Sequence, residues 1–171
     1  IPSKALLRPP TVAAISADLQ GLRPTRIDPE ALLARRDYWV GNYDDSGGAG
    51  WAESVGIDVV RGEGRVTGER QVSVGDRTLT ARHAVVVATG SSPAVPDAFA
   101  PVNPWTNRDA TGVVDIPERL AIVGGGVVAC EAATWLAALG SSVTMFVRRT
   151  LLDRVEPFAA DLVLEGLRRQ G

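Results

Sequence analysis

The amino-acid sequence predicts an α/β fold, and three observations carry that prediction. Residues 119–147 read as strand, glycine turn, helix and strand, the order of a parallel βαβ unit. The apolar content is aliphatic: 45% of the 171 residues are hydrophobic and only 5% aromatic. A core of Val, Leu, Ile and Ala suits a parallel sheet better than an aromatic-rich sandwich. Finally, Ala84-Val85-Val86-Val87-Ala88 is apolar on both faces, as a central parallel strand is.

Taken in chain order, Pro2 stands where the first turn of a helix tolerates a missing N–H, and Ala5, Leu6 and Leu7 follow. Pro9-Pro10 predicts an interruption, with a second helical stretch from Thr11 to Gln20 closed by Gly21. Asp28-Pro29-Glu30 predicts a helix start, with Asp28 as N-cap and Ala31 to Val40 carrying the helix onward. Asp44 to Gly50 reads as turn, and Trp51 to Val55 as one further helical turn before Gly56. Short β-like runs follow at Ile57–Val60, Arg65–Val66, Gln71–Val74, Thr78–Thr80 and His83–Ala88. They predict a small antiparallel excursion returning to a buried strand. Five prolines between 93 and 117 mark a crossing between domains.

Beyond the crossing, Leu120–Val123 reads as a strand, Val127–Leu139 as a helix closed by Gly140, Val143–Val147 as a second strand and Pro157–Gln170 as another helix. A crossover helix needs a parallel strand to return to. With Ile1 in front and Met145 the only methionine, the chain is expected to be a fragment. It divides into residues 1–92, a crossing over 93–118, and residues 119–171.

Composition excludes several classes of function. A net charge of −2 argues against nucleic-acid or anionic-membrane surfaces. No apolar run approaches the roughly 18–20 residues that span a bilayer. Cys130 is the lone cysteine and zinc-type spacing is absent, so no metal site is expected and a reducing, cytoplasmic setting is. Cys130 reads as a packing residue rather than a nucleophile, and His83, the one histidine, as a solvated strand-end residue. Trp39, Trp51, Trp105 and Trp135 share no spacing and read as packing or interface residues.

Gly124-Gly125-Gly126-Val127-Val128-Ala129 fits G-x-G-x-x-A between strand and helix, where a dinucleotide fingerprint belongs. Gly124 would make the tight turn, Gly126 would admit a pyrophosphate to the backbone, and Ala129 would let helix and strand pack closely. Free N–H groups and the helix dipole then favour the phosphates. The hexapeptide alone also suits a glycine turn that merely packs a helix on a sheet. An NAD site usually carries an Asp or Glu about 20 residues further on. Here the second strand ends Phe146-Val147-Arg148-Arg149, and Arg154 follows. Arginine forks clamp a 2′-phosphate, so NADP is favoured and NAD is the alternative coenzyme. The competing reading makes these arginines a solvated edge.

Three separated segments together carry a family resemblance. Ile1-Pro2-Ser3-Lys4-Ala5-Leu6-Leu7 resembles the segment following the second redox cysteine of pyridine nucleotide–disulfide oxidoreductases. Val87-Ala88-Thr89-Gly90-Ser91 resembles their "ATG" segment, and residues 124–131 their second dinucleotide loop. Dihydrolipoamide dehydrogenase-like and mercuric reductase-like enzymes are the most similar branches, while Arg148 with Arg154 is similar to the NADPH-selecting stretch of glutathione reductases.

The resemblance implies an FAD/NAD(P)-binding Rossmann-like flavoprotein with two dinucleotide-binding domains, active as a homodimer. Hydride would pass from NADPH through FAD to a redox-active disulfide and then to a small-molecule disulfide, thiol or metal-ion acceptor. It implies that Lys4 lies beside the flavin as a buried ammonium paired with Glu131, beneath the nicotinamide. Thr89, Gly90 and Ser91 would border the FAD. Gly124, Gly125, Gly126, Val127, Val128, Ala129, Glu131, Val147, Arg148, Arg149 and Arg154 would hold the NADP. The family's redox cysteines would precede Ile1 and its acid–base histidine would follow Gly171, so no catalytic residue is expected in this chain. Val127 stands where several relatives carry a gating tyrosine. Two further readings stay open: a related flavoprotein without a cysteine pair, reducing oxygen, peroxide or an electron-transfer protein, and a non-catalytic nucleotide-binding module.

Overall fold

The computed structural model describes every residue except Pro24. Two compact units are seen: residues 1–43 with 95–171, and residues 44–94.

The first unit is built on helices α1 (Pro2–Ala17), α2 (Pro29–Trp39), α4 (Asn107–Thr111), α5 (Val127–Ala138) and α6 (Pro157–Arg169) and strands β4 (Arg119–Val123) and β5 (Ser142–Phe146). The expected βαβ unit is present. β4 and β5 pair in parallel, with Leu120 opposite Val143 and Ile122 opposite Met145. Leu120, Ile122 and Val143 pack against a core of Leu6, Leu32, Ala110, Val113, Ala132, Trp135, Leu136 and Leu139. Trp135 is 1% exposed, and its indole N–H donates to the Ala110 carbonyl at 3.3 Å. The other three tryptophans are exposed.

Asp28 caps α2 as expected, its carboxylate accepting the Ala31 N–H at 3.1 Å. The expected break at Pro9-Pro10 is absent, because α1 runs through both prolines as one helix. Two adjacent prolines confine the lost hydrogen bonds to one turn. There the Thr11 hydroxyl donates to the Leu7 carbonyl at 2.9 Å, and Pro10 is buried. The proline-rich crossing also holds more structure than its composition suggests: a 3₁₀ segment at Asp97–Val102, and α4 with a reciprocal cap between Thr106 and Asp109. The Thr106 N–H and hydroxyl hold the Asp109 carboxyl below its ordinary range.

The second unit holds α3 (Ser46–Ser54) and the antiparallel sheet β1 (Gly64–Gly68), β2 (Gln71–Val74) and β3 (Arg77–Thr80). Gly75, at φ +56, opens the two-residue β2–β3 turn. α3 begins inside the stretch expected to be turn, because Asp44 accepts both the N–H and the hydroxyl of Ser46 and so starts the helix despite three glycines.

The expected buried strand at 84–88 is corrected outright. These residues belong to no strand, with Val86 85% and Val87 69% exposed. A parallel strand exists only beside another, and the sheet of this unit is antiparallel throughout. Ile57–Val60 is likewise not a strand, and His83 is exposed outside any strand.

Candidate functional site

Three glycines turn the chain from β4 into α5, each for its own reason. Gly124 has φ +132, a region closed to most side chains, and its N–H donates to the Phe146 carbonyl at 3.0 Å, fixing the turn to the end of β5. Gly125 is the close approach: a Cβ there would stand 2.6 Å from a Val147 methyl. Gly126 caps α5 with ordinary extended backbone, and a Cβ there would meet nothing. Beside the close packing expected at Ala129, Gly125 is a second position where a small residue is required. Gly125→Ala should therefore destabilise the fold by about 1–2 kcal/mol through overpacking. Urea unfolding measures it, with Val147→Ala in the same chain expected to recover part of the loss.

The first hydrogen bond of α5 runs from the Cys130 N–H to the Gly126 carbonyl, so the N–H groups of Val127, Val128 and Ala129 lie ahead of the helical ladder. Val127 and Val128 are exposed and do not roof the loop. An open cradle at Gly126, three orphan donors and a helix dipole fit a pyrophosphate.

Past β5 the chain folds back on this loop. The Leu152 N–H donates to the Gly125 carbonyl at 2.7 Å, with Leu152 itself at φ +52. Arg148, Arg149 and Arg154 are exposed around that turn. Arg149 is paired with Asp153, Nη2 to Oδ2 at 2.5 Å, while Arg148 and Arg154 have no acidic partner among the described residues. Leu152 and Asp153 were not anticipated. The i, i+4 spacing of Asp153 from Arg149 was the visible signal for one; nothing signalled the left-handed Leu152.

Lys4 and Glu131, 127 positions apart, form an ion pair. The core sets this contact: Ala5 and Leu6 bury the inner face of α1, and Trp135 lies one turn beyond Glu131 on α5. The lysine side chain is 69% exposed and Glu131 24%, so the expected buried ammonium is corrected to a pair at the rim. Its α1 position, ahead of the packed turn, leaves the long side chain outside the core.

Cys130 is buried, and desolvation pushes its thiol pKa upward, which suits packing rather than nucleophilic chemistry. Thr89, Gly90 and Ser91 lie in the 44–94 unit, exposed, with Gly90 at φ +73 and open space where its Cβ would stand.

Across residues 2–171 the chain matches the family model described as pyridine nucleotide-disulphide oxidoreductase. The chain belongs to that family. Among the pyridine nucleotide-disulphide oxidoreductases it is similar to a mercuric reductase of Acidithiobacillus ferrooxidans, 33% identical over 184 residues, covering all of this chain and 34% of that protein. A Serratia marcescens mercuric reductase is 33% identical over 183 residues, with 40% of its length covered. The chain thus spans little more than a third of these relatives. A solved structure of the Escherichia coli flavoprotein disulfide reductase RclA, in a Cu(II) complex, superposes over the whole chain with TM-score 0.72 at 22% identity, covering 37% of that protein. That likeness establishes the fold: a Rossmann-like α/β unit with a small antiparallel sheet. Among the described residues no helix is long and apolar enough to cross a membrane.

Proposed function

We propose that this chain is part of an FAD-dependent NAD(P)H oxidoreductase that reduces a small disulfide, thiol or metal-ion acceptor, acting as a cytoplasmic homodimer. The observation that carries the reading is the Lys4–Glu131 pair. A bare nucleotide-binding module needs only the glycine loop. Here the first turn of α1 is also tied electrostatically to the helix that follows the loop.

In this reading residues 1–92 serve the FAD, 93–118 cross over, and 119–171 serve the nicotinamide coenzyme. The N–H groups of Val127, Val128 and Ala129 would receive the pyrophosphate, with Gly124 and Gly125 shaping the loop and Gly126 leaving it open. Val147, against Gly125, holds the end of β5 so that Arg148 and Arg154 would face a 2′-phosphate, with Arg149 beside them paired to Asp153. Thr89, Gly90 and Ser91 would lie along the FAD. When bound, the coenzymes supply hydride transfer from NADPH to the flavin. Lys4 contributes a positive charge where electron density arrives, and Glu131 holds the ammonium in place. The named activities of the relatives, mercuric and disulfide reduction, support the acceptor class.

The test is spectroscopic. The purified full-length protein should carry flavin absorbance that NADPH bleaches anaerobically, faster than NADH, and that a disulfide or Hg(II) restores. A colourless protein would sink the reading.

A further inference from the structure

The pairing of Arg149 with Asp153 gives the three arginines unequal roles. Arg148 and Arg154 have no acidic partner among the described residues, whereas one guanidinium nitrogen of Arg149, Nη2, donates to the Asp153 carboxylate at 2.5 Å. A 2′-phosphate carries close to two negative charges and is recognised by guanidinium donors that are available to it. At Arg149 it meets a guanidinium whose charge Asp153 already offsets, and the carboxylate's own charge opposes its approach.

The backbone next to Asp153 is tied to the glycine loop. Leu152, adjacent to Asp153, is in the left-handed region, and its N–H is bonded at 2.7 Å to the carbonyl of Gly125 inside the dinucleotide loop. Asp153 is thereby anchored to the loop that would hold the coenzyme, one turn from Arg149. The Asp153 side chain is 38% exposed, within reach of a ligand's charge.

We infer that Asp153 is a positioning residue that sets coenzyme selectivity by holding Arg149 off the 2′-phosphate, so that Arg148 and Arg154 alone discriminate NADPH from NADH. The inference rests on the coenzyme reading above and deepens it. Selectivity is moderated: the site keeps one fewer arginine for the phosphate than the sequence displays, and NADH remains usable.

Two ligands that transfer no hydride separate the possibilities: ADP-ribose 2′-phosphate and ADP-ribose, titrated calorimetrically into the FAD-loaded protein. Asp153→Asn should tighten the phosphorylated ligand about fivefold, the scale of one exposed ion pair, and leave ADP-ribose unchanged. Arg149→Gln alone should change either affinity less than about twofold, and in the Asp153→Asn background it should cancel the gain. Asp153→Glu should bind like the parent protein. A phosphate-specific gain is an effect that general loosening of the turn would not produce. The inference is overturned if Asp153→Asn leaves the ratio of the two affinities unchanged, or if Arg149→Gln weakens the phosphorylated ligand as much as Arg148→Gln does. Arg148→Gln reports on the underlying reading separately. A loss confined to the phosphorylated ligand upholds the coenzyme site even where Asp153 proves inert, and no phosphate preference in any variant defeats both.

Discussion

Gly126→Asp is expected to weaken binding of ADP-ribose by about 100-fold, roughly 2.7 kcal/mol, without lowering the stability of the protein. The two effects separate because of where the residue stands. Gly126 has φ −84 and ψ 179, backbone that any residue adopts, and an added Cβ meets no atom within 4 Å. It is also the N-cap of α5 with no side-chain cap of its own, a position where Asp is among the favoured residues and would satisfy a first-turn N–H. In the free protein the substitution therefore improves the helix end by a few tenths of a kcal/mol. In the proposed complex the same carboxylate would take the space of the pyrophosphate and repel it. Gly126→Asn isolates the steric part and should cost about tenfold, the remaining factor being charge. Calorimetric titration beside urea unfolding reads both quantities. Unchanged affinity in Gly126→Asp would move the phosphate site away from this loop.

Residues that act through local pattern were legible in the sequence, and those that act through distant partners were not. Strand, glycine turn, helix and strand over 119–146 follow from apolar spacing and from glycine, and so does the Asp28-Pro29 helix start. Even there the sequence named the loop without assigning its roles: nothing in G-x-G-x-x-A says that Gly125 abuts Val147. The run at 84–88 shows the opposite failure. Five apolar residues specify a strand only where a neighbouring strand exists, and its exposed valines show that composition had stood in for pairing. Lys4 and Glu131 became a pair by resemblance, not by any period, since 127 residues separate them. At Pro9-Pro10 a local rule predicted a break, and α1, with Leu6 packed in the core, runs through it.

Arg36 is the residue that the sequence concealed most completely, and its replacement should have the largest effect on stability. Within -Ala34-Arg35-Arg36-Asp37- it looks like an ordinary solvated helix position, yet it is 3% exposed. Its Nε donates to Asp37 at 2.8 Å, and its Nη1 donates to the carbonyls of Thr111, at 3.3 Å, and Val113. One guanidinium thus ties α2 to the segment, 75 and 77 positions away, that leads from α4 into β4. Two opposing effects decide the cost of removing it. A buried ionic group replaced together with all its partners by apolar residues is often neutral, because desolvation had cancelled the Coulombic gain. Arg36→Met does not do that: it fills the volume but leaves the buried Val113 carbonyl and the half-buried Thr111 carbonyl without their donor. The orphaned acceptors dominate, at about 1–3 kcal/mol for each fully buried group. We expect a total loss of about 3 kcal/mol, read as a lower urea midpoint with an unchanged slope. Arg36→Lys keeps the charge but not the fork, cannot reach two carbonyls and Asp37 together, and should lose about half as much. A loss below about 1 kcal/mol for Arg36→Met would mean that burying the guanidinium costs as much as its hydrogen bonds return. The α2–β4 connection would then rest on the apolar packing around Leu32, Val113 and Trp135.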